Sequence, residues 1–108
     1  MTTTTTLAHL ARAWLDGDAS AGPALCDLLE QEGWRPAWRP WAPAFSIRHD
    51  YLSVGGFVVA EVFWLPLAAT PWHWSLRGGA RGRARTRPLV RRQAEAALWQ
   101  ALRGEGRS

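Results

Sequence analysis

The sequence contains no lysine and no asparagine, and only one cysteine, one isoleucine and one tyrosine. A lone cysteine, Cys26, excludes an internal disulfide and with it the stapled secreted mini-protein. No apolar run approaches the roughly 20 residues that a membrane-spanning helix needs. The longest, Phe57 to Ala69, is broken by Glu61 and Pro66. No basic-then-apolar leader opens the chain, which starts on a threonine tract, so a cytoplasmic location is expected. His9, His49 and His73 show no metal-ligand spacing with one another or with Cys26, and Gly55-Gly56 lacks the spacing of a nucleotide-binding loop. No metal or cofactor is expected.

What is present fits one domain: 108 residues, 47% of them hydrophobic and 20% charged, enough to bury a core. All 13 basic residues are arginine, a bias that goes with the alanine-, glycine- and proline-rich composition of a GC-rich coding sequence. Their placement is not explained by that bias. Residues 1–34 hold five acids and one base, net −4, whereas residues 77–108 hold nine arginines and two acids, net +7. The chain is acidic at its start and basic at its end.

Residues 1–6 read as a disordered tail. Leu7, Leu10, Ala11, Trp14 and Leu15 share one helical face, with Thr6 as cap and Gly17 as stop. A second helix carries Pro23 in its first turn and Leu25, Leu28 and Leu29 as its stripe, and Gly33 ends it, so 7–33 is a helical hairpin. Pro36, Pro40 and Pro43 make 34–43 an extended Trp/Pro connector. Segment 44–77 reads as a three-stranded β-meander: 44–49, then turn chemistry at Asp50 and Gly55-Gly56, then Phe57–Trp64 and Trp72–Arg77. Residues 78–85 read as an Arg/Gly loop, and 86–103 as a last helix with Thr86 as cap, Pro88 in the first turn and Gly104 as stop. The expected fold is α+β, in the order α-α-β-β-β-α, with an antiparallel sheet and the C-terminal helix packed on one face.

Seven arginines (Arg77, Arg81, Arg83, Arg85, Arg87, Arg91, Arg92) fall within 16 residues that contain no acid. They flank a helix start, whose exposed N–H groups and partial positive charge suit an anion. This surface is the candidate site for nucleic acid, or for a complex that handles it. The alternative is internal neutralisation, with the acidic hairpin folded against the basic end. Trp34, Arg35, Trp38, Arg39 and Trp41 alternate two residue types favoured at protein interfaces and form a candidate second contact. Trp14, Trp72, Trp74 and Trp99 lie on or beside apolar stripes and read as core. No convincing catalytic site is present, and a non-enzymatic role is expected. The one candidate acid–base pair is Glu61 with His73, across neighbouring strands and near Ser75 and Arg77.

Two resemblances carry further expectations. The segment from Phe45 to Leu102 is similar in order to the β-β-β-α part of double-stranded-RNA-binding domains, which place a basic stretch before an Ala-rich last helix. Arg81, Arg83, Arg85 and Arg87, followed by Ala94, Ala96 and Ala97, occupy those places, although Thr86-Arg87-Pro88-Leu89-Val90 departs from that family's lysine-rich helix start. GGFVVAEV, WHW and AEAAL also give the chain a resemblance to small phage and prophage accessory proteins, among them anti-CRISPR-like inhibitors of host defence. That resemblance implies a binding protein that modulates a host nucleic-acid-handling complex through the arginine surface. A free-standing nucleic-acid-binding module is the alternative, and a small enzyme built on Glu61 and His73 a third reading. The partner is then a host nucleoprotein or protein complex, DNA or RNA, and not a membrane.

Overall fold

Among the described residues eight elements follow one another: α1 (Thr3–Leu15), α2 (Ala21–Gln31), β1 (Arg39–Ala42), β2 (Ser46–Val54), β3 (Phe57–Trp64), β4 (Trp72–Leu76), β5 (Arg81–Ala84) and α3 (Arg87–Arg103). They belong to a computed structural model that describes residues 3–42, 46–66, 69–77 and 79–104. The fold is α+β, with the expected order of helices, strands and closing helix, but the antiparallel sheet has five strands in the order β1-β2-β3-β4-β5 rather than three.

The two extra strands are the sheet's edges, and both come from segments that lack strand-like side chains. β1 lies in the proline-rich connector. An edge strand pairs on one side only, so Pro40, which has no N–H to give, is tolerated there opposite Asp50. β5 lies in the Arg/Gly stretch. Its pairing with β4 uses backbone groups, and its side chains alternate with Arg81 and Arg83 exposed and Ala84 buried. Strand β2 also runs further than its pattern suggests. Asp50 is not a turn residue but lies within the strand, which continues to Val54. The turn comes at Gly55 and Gly56, both at positive φ (59° and 89°), as a two-residue hairpin requires.

Helix α1 begins at Thr3, so residues 3–6 are its first turn rather than a tail, and Thr6 lies inside it. The β2–β3 turn braces this end: a Cβ on Gly55 would lie 2.8 Å from the Ala8 backbone nitrogen. Helix α3 follows its sequence signals. Thr86 accepts a hydrogen bond from the Leu89 N–H, Pro88 sits in the first turn, and Gly104 caps the end at φ 79°.

The helices share one face of the sheet. Ala11 of α1, Leu25, Cys26 and Leu29 of α2, and Leu98 and Leu102 of α3 pack with Leu52, Val54, Val59, Ala60 and Leu76. A register shift opposite Leu52 and Ser53 lets the neighbours Val59 and Ala60 both turn inward. A second cluster joins Val62 and Ala84 to Val90 and Ala94, with Trp38, Trp72 and Trp74 packed against it. Trp14 and Trp99 border the first cluster, in keeping with their core reading. Cys26 is buried and hydrogen-bonds to Glu30.

Candidate nucleic-acid interface

The seven arginines separate into two groups because of one residue that the sequence reading placed in a turn. Asp50 points from β2 toward α3 and is 2% exposed. A carboxylate so deep must be compensated. Arg87 supplies two parallel contacts, Nε to Oδ2 at 3.0 Å and Nη2 to Oδ1 at 3.1 Å, and Arg91, one helical turn on, reaches Oδ2 at 2.7 Å. The guanidinium of Arg87 also lies over the Trp72 ring, 5.0 Å from its centre. Arg87 and Arg91 therefore hold α3 to the sheet. Glu95, next in the same helical row, accepts a hydrogen bond from the Trp38 indole at 2.7 Å.

The other five, Arg77, Arg81, Arg83, Arg85 and Arg92, are exposed. None of them has a carboxylate partner among the described residues. The acidic hairpin does not neutralise them. Asp16 pairs with Arg12 within α1, and Glu30 reaches Arg103 at 3.5 Å, outside the group of seven. Internal charge matching thus accounts for two of the seven arginines, through Asp50 rather than through the hairpin.

The Trp/Arg connector is divided in the same way. Trp34 meets Trp99 edge to face at 5.9 Å, and Trp38 is tied to Glu95, so both indoles face inward. Arg35 and Arg39 are exposed. The Trp41 side chain lies outside the described residues, as do Phe45 and Gly78.

On the side away from the helices, strand register brings together a set of residues that no sequence motif marks. One row across the sheet is His49–Phe63–His73–Arg83; the next is Arg39–Tyr51–Glu61–Ser75–Arg81. Phe63 and His73 stack with planes 10° apart and centres 5.4 Å apart, and His49 meets Phe63 edge to face at 6.0 Å. The expected Glu61–His73 pair is not made: Glu61 Oε1 lies 3.1 Å from His49 Nε2, because Glu61 is diagonal to both histidines and turns to the β2 side. His73 Nε2 is buried and has no hydrogen-bond partner among the described residues. Phe63, His73, Ser75, Arg81 and Arg83 contribute to an open cleft of about 810 Å³ along β4 and β5. The five-strand register was the missing information, and the alternation of 49, 51, 61, 63, 73 and 75 was its only trace in the sequence.

No protein-family model matches the chain, and neither a curated protein nor a solved structure does. Among the described residues there is no cluster of three or more potential metal ligands. No helix among them is long and apolar enough to cross a membrane.

Proposed function

We propose that this protein is a non-enzymatic nucleic-acid-binding module that grips phosphates with Arg77, Arg81, Arg83, Arg85 and Arg92. The observation that carries the reading is that, among the described residues, these five exposed side chains have no acidic partner while Arg87 and Arg91 share one. Guanidinium groups suit phosphate oxygens through their forked donors. Arg81 and Arg83 sit on an edge strand, where charge also discourages pairing with another chain. Edge protection gives no reason for Arg77, Arg85 and Arg92, which lie outside that strand, to be exposed without an acidic partner among the described residues.

A phage-type role, with the same arginines engaging a host nucleoprotein or defence complex, is the wider setting of this reading. It draws less support as a protein–protein contact, because Trp34 and Trp38, its natural anchors, are occupied inside the fold. The Glu61–His73 enzyme reading lacks its pair. A gel shift against DNA and RNA across salt tests the proposal. With all five arginines on phosphates, affinity falls between 50 and 200 mM salt by roughly 100-fold for a single strand and roughly 500-fold for a duplex. No binding at the lower salt, or binding with a flat salt dependence, refutes it.

A further inference from the structure

We infer that the open face of the sheet is a base-stacking site and that the ligand is single-stranded nucleic acid. This inference rests on the phosphate-binding reading above and names the form of nucleic acid that its Arg81 and Arg83 take. Two kinds of residue support it. The first is aromatic. His49, Phe63 and His73 form a contiguous run of rings across β2, β3 and β4, on the face that the helices leave uncovered. Such cross-strand ring pairs stabilise the sheet, and on a face that the helices leave uncovered they also offer a platform on which unpaired bases stack. The second is charge. The rings are flanked by Arg39 in β1 and by Arg81 and Arg83 in β5, and these three have no acidic partner among the described residues. The single acid described on this face, Glu61, is turned to His49.

The spacing suits one strand. Neighbouring strands lie about 5 Å apart, so the β5 arginines stand one to two spacings, about 5–10 Å, from the His73–Phe63 stack. A nucleotide whose phosphate sits at β5 can lay its base into the cleft between Arg83 and the rings. There the Ser75 hydroxyl, which lines the cleft, offers a polar contact to a base edge. A duplex hides its base faces, so it can use the arginines but not the rings. A duplex mode at the α3 start is also weakened, since Arg87 and Arg91 are held by Asp50.

The test uses the full chain and three ligands matched in phosphate number: a short oligothymidylate, a DNA duplex and an abasic single strand, with oligouridylate as the RNA counterpart of the first. The base-bearing single strands should bind at least 5-fold tighter than the duplex and the abasic strand, the lower end of what stacking one base contributes. Phe63→Leu, which keeps an apolar side chain and removes the stack, should abolish that preference while leaving the salt slope unchanged. Arg81→Ala with Arg83→Ala should flatten the slope for every ligand. Equal affinity for all ligands overturns the stacking site and leaves phosphate binding intact. Failure to bind any of them overturns both readings. The abasic comparison needs no variant, so it remains decisive if Phe63→Leu does not fold.

Discussion

Replacing Arg87 with alanine separates a structural arginine from a binding one. The substitution removes two charge-assisted hydrogen bonds to a carboxylate that is 97% buried at its side chain, plus the contact over Trp72. Hydrogen bonds to charged groups contribute about 1.5–3 kcal/mol each. The Arg87 side chain is 35% exposed, so part of this is already screened by water, and Arg91 still reaches Oδ2. A cation over an indole adds about 0.5–1 kcal/mol. The expected loss is about 3 kcal/mol, a substantial part of the roughly 5–15 kcal/mol that holds a domain together. Urea unfolding followed by tryptophan fluorescence reads it directly, and the thermal midpoint should fall by about 10–20 °C. Arg83→Ala, exposed and with no acidic partner among the described residues, should stay within about 0.5 kcal/mol of wild type in the same assay. A double-mutant cycle with Asp50→Ala should return a coupling above about 1 kcal/mol. An Arg87→Ala protein as stable as Arg83→Ala, or a cycle with no coupling, would refute the division of the arginines.

Three further outcomes follow from the geometry. Gly55→Ala places a Cβ 2.8 Å from the Ala8 nitrogen at a residue with φ 59°, and urea titration should show a loss of about 2 kcal/mol. Trp38→Phe keeps the ring packed but leaves Glu95 without its indole donor, and should cost about 1 kcal/mol on thermal melting. Burial, reinforced by the nearby Glu30 carboxylate, pushes the Cys26 thiol above its ordinary value of 9.0. The thiol should therefore resist a disulfide reagent at pH 8 until the chain unfolds. As pH rises through about 9 the unfolded chain ionises first, so stability should decline there; a thiol that reacts as fast as free cysteine contradicts its burial.

The helices were legible because their signals are local. Thr86, Pro88 and Gly104 each fix a boundary through their own backbone chemistry, and the stripe Val90, Ala94, Leu98 and Leu102 reports its buried face. The central strand was legible for the same reason, through Val59, Ala60 and Val62. Edge strands β1 and β5 were not, since backbone pairing to a neighbour leaves little mark on composition. Pro40 and Gly82 look like loop residues until the partner strand is known. Gly82 is needed where it is because the Trp74 indole lies across it. Asp50 was misread because Asp in isolation signals a turn. Its meaning depends on two arginines 37 and 41 residues away in the chain. The candidate site was legible as a charge pattern but not as a surface, since the ring row joins three strands through register alone.

The meander order of the sheet gives the molecule two unlike kinds of cooperativity. Every strand pairs with its neighbour in the chain, so each hairpin can close over a short loop. The helices do the opposite: α2, near one end of the chain, packs on α3 at the other, with the Gly22 backbone set against Leu102. Sheet closure is thus a local event and helix docking a joining of distant ends, which places the docking late in assembly and early in any partial opening. Amide hydrogens of α1 and α2 should then exchange before those of β2 and β3. The ring-bearing face would keep its shape while the helical layer breathes, so a ligand held there need not wait on the chain ends.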